Sequence, residues 1–186
     1  MFKAIIIDHH DSFTWNIKNW LSQSFDVQII DCAQINAKPN LKADLIILSP
    51  GPKSPNDYPE TLNYLKNLPA DQCVLGICLG MQMMTVVSGG VVKPYSPPLH
   101  GKSSALTSTN KKMNQLQVAR YHSLMCSVND SYQTIAETEK NIPMIIKHKQ
   151  KNWMGYQFHP ESFLTEKNDL YLDFIFELLN IKGLKQ

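Results

Sequence analysis

The first apolar run of the chain, Ala4-Ile5-Ile6-Ile7 between Lys3 and Asp8, is unbroken and predicts a strand buried on both faces. The period then changes. Phe13, Ile17, Trp20, Leu21 and Phe25 recur at helical spacing, and Asp11 or Ser12 is placed to cap that helix. Residues 27–30 and 44–48 return to strand character, 60–68 to a helix, and 73–77 to a strand. Residues 79–88 form the next predicted helix, stopped by Gly89-Gly90.

This alternation implies an α/β fold with a mostly parallel sheet flanked by helices. It sends the loops that follow the strands to the sheet's carboxyl edge, where such folds place their sites. The middle of the chain differs. Segments 91–93, 103–108, 115–121, 133–138, 143–149 and 153–158 read as shorter strands between turns, with antiparallel additions expected. Residues 168–179 read as a closing helix with Leu170, Phe174, Ile175, Leu178 and Leu179 on its apolar side. There is no repeat, linker or low-complexity tract, so one domain over residues 1–186 is expected.

Composition narrows the function classes. Hydrophobic residues at 43% and charged residues at 18% describe a globular chain. A net charge of +2 argues against nucleic acid and anionic membranes as partners. Arg120 is the only arginine, and the lysines are scattered. Cys32, Cys73, Cys78 and Cys126 show no paired metal-ligand spacing. The N-terminal apolar run is too short for a signal peptide, and no stretch approaches the roughly 20 apolar residues of a membrane span. A reducing cytoplasm is the expected location.

The chemistry concentrates in three places. In Gly76-Ile77-Cys78-Leu79-Gly80 a cysteine stands between two glycines where a strand meets a helix, the pattern of a nucleophile elbow. The turn strains the nucleophile's backbone, flanking side chains would collide, and the helix N-terminus favours a thiolate. In Gln157-Phe158-His159-Pro160-Glu161-Ser162, Pro160 disfavours a helical His159, so an extended stretch is expected with His159 and Glu161 on one side. A carboxylate there can orient the imidazole, completing a Cys–His–acid triad. Finally, Ser49-Pro50-Gly51-Pro52-Lys53 makes a stiff loop after a strand and can aim backbone N–H groups at an oxyanion. His122 competes with His159 as the base but has no orienting acid nearby. His9 and His10 should send their rings to opposite faces, which disfavours a metal site from the pair. His148 reads as exposed.

These three motifs resemble those of class I, triad-type glutamine amidotransferases. Asp8-His9-His10-Asp11-Ser12-Phe13-Thr14-Trp15-Asn16, His100-Gly101-Lys102 and Arg120-Tyr121-His122-Ser123-Leu124 are similar to segments of the small subunits of anthranilate synthase and aminodeoxychorismate synthase. The likeness spans about residues 3 to 180.

The resemblance implies the flavodoxin-like sheet of that family and a glutaminase with Cys78, His159 and Glu161 as its triad. It implies that Gly51, Pro52, Lys53 and Leu79 surround the oxyanion, that Gln82 holds the substrate glutamine, and that Ser123 and Leu124 bind its amino-acid end. The ammonia would pass to a separate chorismate-utilising synthase subunit in a heterodimer or heterotetramer, with the 8–16 loop bordering that partner. No cofactor or metal is expected in this chain; Mg²⁺ is expected only in the partner. Met81 stands where close relatives usually carry histidine, and Lys53 where a glycine is common, a position at which a left-handed backbone would be strained. The alternatives are a stand-alone γ-glutamyl cysteine hydrolase and a catalytically inactive regulatory subunit. Neither anthranilate nor 4-amino-4-deoxychorismate is singled out as the final product.

Overall fold

Three short strands, each almost wholly apolar, build the centre of the molecule: β1 (Phe2–Asp8), β3 (Leu45–Leu48) and β4 (Cys73–Ile77). Their side chains sort by parity. Ala4, Ile6, Leu45, Ile47, Leu75 and Ile77 enter one hydrophobic cluster, while Ile7, Ile46, Leu48 and Val74 enter another on the opposite face. All four side chains of β3 are fully buried, each contributing roughly 1.5–3 kcal/mol as an upper estimate. The computed structural model describes residues 1–37, 41–98, 101–138 and 140–180; His100 of the His100–Lys102 motif lies outside them.

The remaining elements arrange themselves around this centre. They are α1 (Thr14–Leu21), β2 (Phe25–Asp31), α2 (Pro59–Lys66), α3 (Leu79–Val87), β5 (Val91–Pro94), β6 (Lys102–Ala105), β7 (Gln117–Arg120), β8 (Leu124–Ser127), β9 (Tyr132–Glu137), β10 (Pro143–His148), β11 (Trp153–Tyr156) and α4 (Asn168–Leu178). Seven strands form the main sheet in the order β2-β1-β3-β4-β11-β10-β9. The first five run parallel, and β10 and β9 add antiparallel at one edge. The pairs β5–β8 and β6–β7 make two small antiparallel sheets. Residues of α1 and α4 cover one face, and residues of α2 and α3 the other. Every residue of α3 from Leu79 to Thr85 is buried, as an apolar helix wedged into the interior requires. Among the described residues no helix is long and apolar enough to cross a membrane.

Several local expectations are corrected. Phe25 does not extend α1. A turn at Ser22–Ser24 intervenes, and Phe25 enters β2, where it stacks on Phe176 at 5.8 Å. Neither Asp11 nor Ser12 caps α1; Asp11 instead accepts the Phe13 N–H at 2.8 Å. On α4 Ile175 and Leu178 are buried as expected and Leu170, Phe174 and Leu179 pack partly against the same core, but Tyr171 and Phe176 are buried too; Tyr171 meets the Phe158 ring, and its carbonyl accepts the Tyr156 hydroxyl. His148 is buried: its Nδ1 accepts the N–H groups of Gln150 and Lys151. Cys32–Ala37 forms a 3-10 helix that hydrophobic periodicity did not indicate.

Candidate active site

The loops after β1, β3, β4 and β11 meet at the carboxyl edge of the sheet, and Cys78 stands among them. The cysteine adopts φ 52° and ψ −102°, a backbone conformation costly for any residue with a side chain. The glycines around it explain how the turn closes. A Cβ on Gly76 would sit 2.5 Å from the Gly80 carbonyl carbon, and one on Gly80 would sit 2.6 Å from the Leu48 Cβ. The strained turn is locked by the Cys78 N–H, which donates to the Tyr156 carbonyl at 2.7 Å. Cys78 is only 7% exposed.

His159 reaches Cys78 because β11 lies beside β4. Tyr156 is in register with Ile77, so the chain leaves both strands at the same level. The expected extended segment ends early: β11 stops at Tyr156, and His159-Pro160-Glu161-Ser162 is a turn closed by the Ser162 N–H on the His159 carbonyl at 3.2 Å. Proline suits the second position of such a turn. The turn still places Glu161 Oε1 2.8 Å from His159 Nδ1, with both side chains closed from solvent. Burial alone would lower the His159 pKa. Hydrogen bonds with Cys78 and Glu161 and the charges of both outweigh it, and the pKa rises to about 10. Phe13 and Tyr121 flank the ring at 4.9 and 5.1 Å.

The stiff loop after β3 packs directly onto the elbow. A Cβ on Gly51 would lie 2.7 Å from both His9 Cβ and Leu79 Cδ2, so only glycine admits this approach. Leu79 opens α3, and its N–H therefore has no acceptor within the helix. Gly51 thus packs against Leu79, the residue that follows Cys78. Lys53 adopts φ 68°, the left-handed conformation for which the lysine is unsuited. Behind the loop His9 is buried between Ser49 and Thr61, each 3.2 Å from one ring nitrogen, and burial lowers its pKa to about 4.

Gln82 lies one hydrogen bond from Gln157, which itself reaches Cys78, and the groups of Ser123 and Leu124 are engaged elsewhere. The Gln82 amide donates to Gln157 Oε1 at 3.4 Å. The Ser123 carbonyl accepts the Tyr95 N–H at 2.8 Å, and the Leu124 carbonyl lies 2.7 Å from His122 Nδ1. Arg120 Nε donates to His122 Nε2 at 2.9 Å. An arginine can only donate, so Nε2 is the acceptor and Nδ1 carries the proton toward Leu124. His122 is therefore committed to shaping the 122–124 turn, while His159 pairs with Glu161.

Sequence reasoning missed two contributors. Gln157 is fully buried, and its side-chain amide donates to the Cys78 sulfur at 3.7 Å. Its spacing from His159 was a usable sign, since both leave the end of one strand. Arg120 is 3% exposed, bonds Ser104 as well as His122, and lies over the Tyr95 ring at 5.2 Å. Its being the sole arginine and its opening the Arg120–Leu124 motif were the signs, but neither gave it a role.

A sulfur nucleophile at the start of a helix, beside an imidazole held by a carboxylate, can perform acyl transfer from an amide. A family model described as "Glutamine amidotransferase class-I" matches residues 5–178. The aminodeoxychorismate synthase component 2 of Escherichia coli is 34% identical over 177 residues, 88% of this chain and 93% of that protein. The anthranilate synthase component 2 of Cyanophora paradoxa is 34% identical over 189 residues, 95% of this chain and 99% of that protein. A multifunctional tryptophan biosynthesis protein of Pichia angusta is also 34% identical, over 192 residues and 97% of this chain, but the match spans only 52% of that longer protein. Among solved structures, a glutamine amidotransferase of Thermotoga maritima shares the fold, with TM-score 0.64 and 18% identity over 97% of this chain and 95% of that one.

Proposed function

The chain belongs to the class I glutamine amidotransferase family, and on that premise we propose that it is the glutaminase component of a two-component, chorismate-aminating synthase. It hydrolyses glutamine to glutamate and ammonia and hands the ammonia to a separate synthase subunit. The observation that carries this reading is the linked set Cys78–His159–Glu161, closed from solvent at the edge of the parallel sheet.

In the proposed reaction the Cys78 thiolate attacks the side-chain amide carbon of glutamine. Negative charge moves to the carbonyl oxygen, which meets the Leu79 N–H and the Gly51–Lys53 loop; one such donor is typically worth about 10²–10³ in rate. The C–N bond breaks as His159 gives its proton to the leaving nitrogen, releasing ammonia and a γ-glutamyl thioester. His159, now neutral, takes a proton from water, and the water attacks the thioester. Glutamate leaves and the thiolate–imidazolium pair returns. Gln82, with the Ser123–Leu124 turn, holds the rest of the glutamine. Only protein groups and water enter these steps, and in this reading Mg²⁺ belongs to the synthase partner.

The reading is tested with the chain reconstituted with candidate anthranilate and aminodeoxychorismate synthase subunits. Glutamate release should rise when the productive partner is added, because Cys78 is nearly closed in the chain by itself. Cys78→Ser should abolish glutamine-dependent synthesis and spare synthesis from added ammonia. Retained glutamine use in that variant would sink the nucleophile assignment. Full glutaminase activity unchanged by either synthase would favour a stand-alone hydrolase.

A further inference from the structure

The His9 and His10 rings turn to different partners, His9 to Ser49 and Thr61 and His10 to Asp31 and Cys32. The His10 ring thus turns toward residues far from it in sequence. It leaves β1 through a left-handed backbone, φ 63°, and its Nε2 lies 3.9 Å from Asp31 Oδ1 and 3.8 Å from Cys32 Sγ. The three candidate ligand atoms all lie within 4.8 Å of one another. We propose that His10, Asp31 and Cys32 form a binding site for a divalent transition-metal ion of the zinc class.

The chemistry and the spacing agree. Imidazole, carboxylate and thiolate are the three side-chain ligand types of zinc, with bonds of about 2.0–2.3 Å. In a tetrahedral centre such bonds put ligand atoms roughly 3.3–3.8 Å apart, so the two His10 pairs need to close by only a few tenths of an ångström. The surroundings favour a cation. Asp8 ends β1 directly beside Asp31 at the end of β2, and among the described residues neither carboxylate pairs with a lysine or arginine. Asp8 also fixes the loop that presents His10: it accepts the His10 N–H at 3.0 Å and the Thr14 hydroxyl at 2.7 Å. The His10 and Asp31 side chains are 58% and 42% exposed, which leaves an entry path and a fourth position for water. A bound ion would tie the loop after β1 to the start of the Cys32–Ala37 turn.

The test uses the full chain in a Cys78→Ser background, since the Cys78–His159 pair offers a second thiophilic position. Titration with zinc should show about one ion per chain at micromolar concentration or below, together with a rise in unfolding temperature. Cobalt substituted for zinc should give a thiolate-to-metal charge-transfer band. His10→Asn and Cys32→Ser should each weaken binding at least about tenfold, and Cys32→Ser should erase the band. Asparagine tolerates the left-handed backbone, and position 10 is exposed, so His10→Asn decides the matter if Cys32→Ser fails to fold. Absence of stoichiometric binding, or binding unchanged by His10→Asn, would overturn the proposal and leave the trio as a surface hydrogen-bonded cluster.

Discussion

Nδ1 of His159 stands 2.8 Å from Oε1 of Glu161, two residues on, in a turn that Pro160 initiates rather than in a strand. The second carboxylate oxygen, Oε2, is buried with no hydrogen-bond partner among the described residues. The carboxylate is thus directed at the imidazole, and the ring's orientation depends on it. Cys78 and His159 should therefore behave as one unit. Cys78→Ala and His159→Ala are each expected to lower the glutaminase rate severely, and the double variant should lose little more. Glu161→Ala should cost less than either. Steady-state rates of the complex for the three single variants and the double variant check this; multiplying effects would separate His159 from Cys78.

The raised His159 pKa makes stability depend on pH in a defined window. The folded state binds this proton more tightly than the unfolded chain, whose histidine titrates near 6.5. The contribution is therefore complete below about 6.5 and is lost as pH rises toward and through about 10. Urea unfolding across that range should show stability declining in the parent, with a flatter dependence in His159→Gln. Equal slopes in the two proteins would contradict the shift.

Gln157 donates to the Cys78 sulfur from within the protein interior. A donor favours the charged sulfur over the thiol. Gln157→Leu is expected to slow alkylation of Cys78 by about three- to tenfold. Gln157→Glu, which puts a carboxyl beside the sulfur, should slow it further. Labelling rates read by intact mass settle the point; identical rates would leave Gln157 a packing residue.

Lys53 holds a left-handed backbone that costs a non-glycine residue roughly 1–2 kcal/mol. Lys53→Gly relieves this strain but loosens the unfolded chain, so a net gain of about 0.5–1 kcal/mol is expected. The glutaminase rate should hold, because the backbone N–H remains. Denaturant midpoints and rates measured together test both halves. A loss of stability would mean that the lysine side chain contributes more than its backbone costs.

Much of this molecule was legible in the chain itself, for reasons of near-neighbour physics. Unbroken apolar runs at 4–7, 45–48 and 73–77 had to become strands covered on both faces. The Gly-x-Cys-x-Gly spacing had to become a sharp turn, because Cβ atoms at 76 and 80 would collide with backbone. Lys53 stands out as a strained position because the resembled family commonly carries glycine there, and its φ of 68° agrees. What the sequence could not decide was set by contacts between distant segments. The expected span of α1 through Phe25 failed because Phe176 offers Phe25 a stacking partner. His148 looked exposed, yet the return of the chain after β10 buries it. The hydrogen bonds of Gln157 to Cys78 and of Arg120 to His122 have no local pattern to announce them. The first follows from strand order and register, with β11 beside β4 and Tyr156 level with Ile77; Arg120 bonds His122 only two residues on, and it is the pairing of β7 with β6 that also brings it to Ser104. Periodicity determines which face of an element is buried; only the assembled sheet determines which side chains meet at its edge.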